Sequence, residues 1–288
     1  MASPTEKTAA ELLAASEEIP AAESGGTRSE TQEVRGETET GIHISLKAEP
    51  IFYLGNFPVT NSLFLAFLIL VLLGGLAVLA RKRIKLIPGY FQNTFEVFLE
   101  GLLGLMDSVF GERRKSEKYL PIVATIFLFV LFSNWFGLLP GVGSLVIGEH
   151  NTPLLRAPSA DLNFTLALAI LAVLIINVLG AAAIGTAKHL KKFFNFSNPI
   201  NFFIGLIELV SEFAKMISFS FRLFGNIFAG EVLLTIIAFL APYIVPLPFL
   251  FLEIFVGFVQ ALIFSMLTIV FLAIATVDHH AEEGAGAH

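Results

Sequence analysis

Three stretches of the sequence, residues 57–80, 119–140 and 162–187, contain no Asp, Glu, Lys or Arg, and each is long enough to cross a lipid bilayer. A hydrocarbon core of about 30 Å takes roughly 20 helical residues at about 1.5 Å each. No water reaches backbone N–H and C=O groups at that depth, so a spanning segment satisfies them internally, and a single apolar run does so as an α-helix. Two further apolar stretches, 198–240 and 249–277, are longer and carry only a few ionisable groups. With 55% hydrophobic residues, 15% charged residues and a mean hydropathy of +0.78, the chain lacks the polar side chains to cover a water-soluble globule. The pattern predicts an all-α integral membrane protein. It has five membrane-crossing helices and one amphipathic surface helix, and the last two crossings form a long hairpin whose excess length calls for strong tilt. The absence of cysteine excludes disulfides and thiolate chemistry.

Charge placement gives the orientation. Residues 1–50 hold 10 acids and 4 bases, whereas residues 51–288 hold 14 of each, so the net charge of -6 lies wholly in the first segment. Residues 1–40, rich in Glu, Thr, Ala, Ser and Gly, cannot bury enough apolar surface to fold and read as a disordered acidic tail ahead of a single membrane domain, 41–288. The tail is no signal peptide, because Glu6, Glu11, Glu17 and Glu18 interrupt the place of an apolar core. Three clusters hold 11 of the 14 later basic residues: Arg81 to Lys85, Arg113 to Lys118, and Lys188 to Lys192. The positive-inside rule puts them in the cytoplasm, with the N-terminus outside, the C-terminus inside, and the loop 141–161 and the proline-rich hairpin apex 241–248 outside. Residues 89–111, where Glu96, Glu100 and Asp107 recur at near-helical spacing, predict the amphipathic surface helix.

The first hairpin arm carries Arg222, a group that keeps its proton and costs at least about 2.5–3.5 kcal/mol at membrane depth, which makes it a functional candidate. At about 100° per residue, Glu208, Ser211, Lys215, Arg222 and Asn226 fall within a stripe about 60° wide on one helix face. Glu231 points about 140° away, toward the second arm, where Glu253 and Gln260 share a face. An arm pairing centred near residue 245 sets Glu253 and Glu231 about 9 Å apart along the axis. Other readings of these groups are an arginine that pairs with Glu208 or Glu231 to hold a bundle, an interfacial pair of Glu208 with Lys215, and a solvated Glu212. His279, His280 and His288, with Glu282 and Glu283, read as a solvated terminal segment. Neither a nucleotide-binding glycine loop nor a metal-ligand spacing occurs in the predicted ordered part, so no metal, cofactor or nucleic acid is expected.

The run Arg222-Leu223-Phe224-Gly225-Asn226, followed by Ala229-Gly230-Glu231 and then by Gln260-Ala261 and Leu267-Thr268-Ile269-Val270, resembles subunit a of the F-type rotary ATP synthase. Asn134-Trp135-Phe136-Gly137 and Pro158-Ser159-Ala160-Asp161-Leu162-Asn163 extend the likeness over most of the chain. The resemblance implies a bacterial plasma-membrane protein that is not itself catalytic. It also implies a ring of small hairpin c subunits, peripheral-stalk b subunits and the rest of the synthase as partners. Two offset half-channels follow from it: an outer one lined by Asn226, Glu231, Glu253 and Gln260, and an inner one near Glu208, Ser211 and Lys215, with Arg222 between them. Many relatives carry histidine at the position of Glu253, so this chain departs from them there. A secondary ion antiporter is the alternative of another class, but such transporters carry internal repeats, and no second copy of the 198–277 pattern is present.

Overall fold

The computed structural model describes residues 48–55, 57–83, 89–139, 146–147, 152–153, 155–193 and 199–276. The acidic segment 1–40 and the terminal histidines lie outside these residues. A short antiparallel hairpin, β1 (Pro50–Leu54) with β2 (Phe57–Thr60), leads into α1 (Asn61–Arg83), α2 (Tyr90–Phe110) and α3 (Arg113–Gly137). A second small pair, β3 (Val146–Ile147) with β4 (Thr152–Pro153), and a 3-10 turn at Pro158–Ala160 precede α4 (Leu162–Ile184). Then come α5 (Thr186–Phe193), α6 (Pro199–Leu240) and α7 (Pro246–Thr276). Of these, α1, α3, α4, α6 and α7 are long and apolar enough to cross a membrane, and the protein is an all-α membrane protein with five such helices.

The first apolar run starts its helix later than expected. Phe57 to Thr60 pair with β1, and α1 begins only at Asn61, where Leu63 N–H donates to Thr60 Oγ1 at 3.3 Å in a helix-capping bond. Basic residues are taken into the helices at both ends of the first loop, with Arg81 and Lys82 in α1 and Arg113 to Lys118 in α3. The third run breaks at Gly185, whose φ of 99° is open mainly to glycine, and α5 follows as a separate piece.

The core lies where α3, α4, α6 and α7 meet, around Phe127, Val173, Leu223 and Phe264, with the Phe219 and Phe264 rings 4.8 Å apart. α2 adds Leu102 and Met106 to a neighbouring cluster with Tyr119, Val123, Ile269 and Leu272, and leaves Glu96 and Glu100 exposed, which is the amphipathic division its sequence predicts. Two polar contacts lock α3 to α7: Asn134 Nδ2 donates to the Gly257 carbonyl at 2.9 Å and Trp135 Nε1 to the Ile254 carbonyl at 3.0 Å. Such interhelical bonds are the cohesive contacts of a membrane bundle, where apolar packing alone has no advantage over lipid. α1 is attached mainly at its N-terminal end, by Ser62 Oγ donating to Asp161 Oδ2 at 2.7 Å and Asn61 Nδ2 to the Pro153 carbonyl at 3.2 Å. Along the rest of α1, Phe67, Leu70, Val71 and Val78 face outward.

Candidate functional site

Forty-two residues of unbroken helix give α6 a length of about 63 Å, twice the thickness of a hydrocarbon core. Its polar face therefore runs past several neighbours in turn, and the predicted site residues divide among three settings along it.

The first is a cleft of about 290 Å³ lined from α6 by Ser211, Ala214, Lys215, Ser218, Phe219 and Arg222, and from α7 by Leu267 and Phe271. Three members of the predicted stripe, Ser211, Lys215 and Arg222, thus share one wall, as their helical spacing requires. Arg222 is half-buried, and its Nη2 donates to Ser218 Oγ one turn earlier at 3.3 Å. Among the described residues it forms no ion pair. Lys215 instead pairs with Glu212, Nζ to Oε1 at 2.6 Å. That pairing displaces the Glu208–Lys215 reading, and Glu212, with a side chain 12% exposed, is no solvated boundary residue. Glu208 stays half-buried seven residues before Lys215 and does not line the cleft.

One turn beyond Arg222 is the second setting, where Asn226 Nδ2 donates to Gln260 Oε1 at 2.5 Å and joins the two arms. Gln260 is buried, and its Nε2 has no hydrogen-bond partner among the described residues.

The third setting holds the two carboxylates of the arms. Glu253 is buried on α7 with its side chain against Gly230 of α6, and its Oε1 has no hydrogen-bond partner among the described residues. Glu231 points to the loop ahead of α4, where its Oε2 lies 3.6 Å from Nη2 of Arg156, a residue only 8% exposed. Arg156 Nη2 also donates to the Ala160 carbonyl at 3.4 Å. Sequence reasoning passed over Arg156; the one available signal was that it is the only basic residue between the clusters at 118 and 188.

The arm register differs from the expectation. Glu253 meets residue 230 and Gln260 meets Asn226, so facing positions sum to about 484, not 490. The turn occupies Ala241 to Val245, and α7 starts at Pro246, whose fixed φ suits a first helical position, so the hairpin centre falls near residue 243. Glu231 and Glu253 are consequently closer along the axis than the expected separation.

Polar groups of mixed type are thus strung along one apolar hairpin: a cation with no carboxylate partner among the described residues, a carboxamide pair, and two carboxylates, one of them paired with an arginine from the α4 approach. Such a series can exchange protons and hydrogen bonds. The profile of the family described as ATP synthase A chain matches residues 62–273. A protein named ATP synthase subunit a from Campylobacter jejuni is 41% identical over 211 residues, 72% of this chain and 85% of that one. Its namesake from Nitratiruptor is 37% identical over 227 residues, covering 78% and 92%, and that from Moorella thermoacetica is 31% identical over 223 residues, covering 77% and 94%. Matched over most of its length both by the family profile and by these relatives, the chain belongs to the ATP synthase A chain family.

Proposed function

We propose that this chain is the proton-conducting stator of a rotary ATP synthase in a bacterial plasma membrane, with its N-terminus outside and its C-terminus in the cytoplasm. It is not itself the catalyst of phosphoryl transfer, and it works against a ring of c subunits with b subunits holding it still. The observation that carries this reading is Arg222, a permanent cation on an apolar helix that forms no ion pair among the described residues. A guanidinium in that setting calls for an anion from another chain, and a carboxylate carried past on a rotor supplies one.

The physics of the cycle follows. A rotor carboxylate facing lipid is neutral, because burying its charge there is costly, and it ionises beside a cation or water. Protons reach it from outside past Glu253, Glu231, Asn226 and Gln260, where the unpartnered Glu253 Oε1 and Gln260 Nε2 are sites for water. They leave through the cleft bordered by Ser211 and Lys215, with Glu208 further along the same helix. Arg222 stands between the two routes and repels any proton that would pass directly, so conduction requires rotation. The length of α6, about twice the thickness of a hydrocarbon core, supports a strongly tilted hairpin lying along the ring.

The test is Arg222→Ala. Assembled complexes should lose ATP-driven pumping, by at least tenfold, and gain a passive leak. Arg222→Lys should also fail, since an ammonium lacks the planar fork and can shed its proton when desolvated. Normal coupled pumping in either variant sinks the mechanism.

A further inference from the structure

Beside the cleft, Lys215 is gripped by side chains that the proposed cycle does not use. Its ammonium meets Glu212 Oε1 at 2.6 Å, and the two side chains are only 22% and 12% exposed. Glu212 Oε2 accepts from Asn177 Nδ2 of α4 at 3.0 Å, and the same amide nitrogen donates to the Val173 carbonyl at 3.0 Å. With its nitrogen so committed, Asn177 turns Oδ1 to His189 Nε2 of α5, 3.1 Å away. An amide oxygen only accepts, so the imidazole donates. His189 is buried, placed there by the break at Gly185, which lets α5 pack on α4 and α6. The Lys215 ammonium also stands 5.0 Å from the Phe271 ring centre, on the α7 wall of the cleft.

This arrangement has an electrostatic consequence. Lys215 and Arg222 are seven residues apart, two turns of one face, and line the same cleft. Two uncompensated cations on that wall would repel a departing proton twice and blur the difference between the cleft and the barrier. We infer that Glu212 is the charge-compensating, positioning residue of the inner path: clamped by Asn177 and His189, it cancels Lys215 and leaves Arg222 as the cation that acts on the cleft. The inference rests on the proton-path reading above.

A double-mutant cycle tests it. ATP-driven pumping is followed in inverted membrane vesicles bearing the whole synthase, with rates divided by the amount of assembled complex. Glu212→Gln keeps the shape and removes the charge, and should slow pumping at least fivefold without a passive leak. In a Lys215→Met background, the same substitution should change the rate less than twofold. A parental rate in Glu212→Gln, or the same factor in both backgrounds, overturns the role assigned to Glu212. If Glu212→Gln fails to assemble, Asn177→Leu, which leaves both charges in place, is run through the same cycle: a smaller loss without Lys215 sustains the inference and an equal loss overturns it. Pumping by Arg222→Ala complexes would instead defeat the broader function, whatever the cycle gives. Loss of pumping there, with no coupling here, removes only Glu212.

Discussion

The carboxyl group of Glu253 occupies the space beside Gly230 in which any other residue would place its Cβ; a Cβ built on Gly230 collides with the carboxyl carbon and both oxygens. Gly230 therefore leaves room on α6 for the Glu253 carboxyl group, which a side chain at this position would displace. Gly230→Ala should destabilise the protein by about 1–3 kcal/mol, as overpacking of a filled site does, and displace Glu253. A lowered thermal midpoint of the purified synthase, together with slower pumping, is the expected result. Combining it with Glu253→Ala should remove most of the stability loss. An unchanged midpoint in Gly230→Ala alone contradicts the packing described.

Arg156 gives a second prediction. It is nearly buried, while its partner Glu231 is 40% exposed, so the pair contributes less than a fully desolvated one. Arg156→Leu should cost about 1–3 kcal/mol in stability, and it should slow proton uptake from the outer side because the Glu231 carboxylate loses its fixed cation. Arg156→Lys should recover part of the loss. Proton uptake at the parental rate in Arg156→Leu would remove Arg156 from the outer path.

Glu253 itself is open to a simple comparison. Glu253→His keeps a group able to relay a proton and should retain appreciable pumping, whereas Glu253→Leu should lower outer-side proton flux while the Arg222 barrier stays closed. Flux in Glu253→Leu equal to that of the parent places the path elsewhere.

The orientation is checked by labelling. A cysteine in place of Ser144 should react with an impermeant thiol reagent from outside the cell, and one in place of Lys115 only in inverted vesicles. The reverse pattern exchanges the two proposed half-channels.

Much of this was legible in the residues. The charge-free runs marked the spanning helices because a membrane admits few alternatives to them, and the angular arithmetic put Ser211, Lys215 and Arg222 on one wall, where the cleft gathers them. Helix geometry is local, so a single sequence carries it. The hairpin register was not legible, because it depends on where the chain turns, and Tyr243, at a φ of 115°, gives no turn signal of the kind glycine or asparagine would. Arg156 and Glu212 were missed for a related reason. Each owes its meaning to a partner far along the chain: Glu231 for the first and Asn177, 35 residues earlier, for the second.

The bond from Ser62 to Asp161 spans 99 positions of the chain. At a synthesis rate of about 5–20 residues per second, the anchor for α1 leaves the ribosome about 5–20 s after the helix it anchors. For that interval α1 lacks this polar latch, while its outward-facing Phe67, Leu70, Val71 and Val78 are solvated by lipid. Maturation of the protein is thus ordered in time, with an unmoored first helix waiting for the start of α4 to capture it.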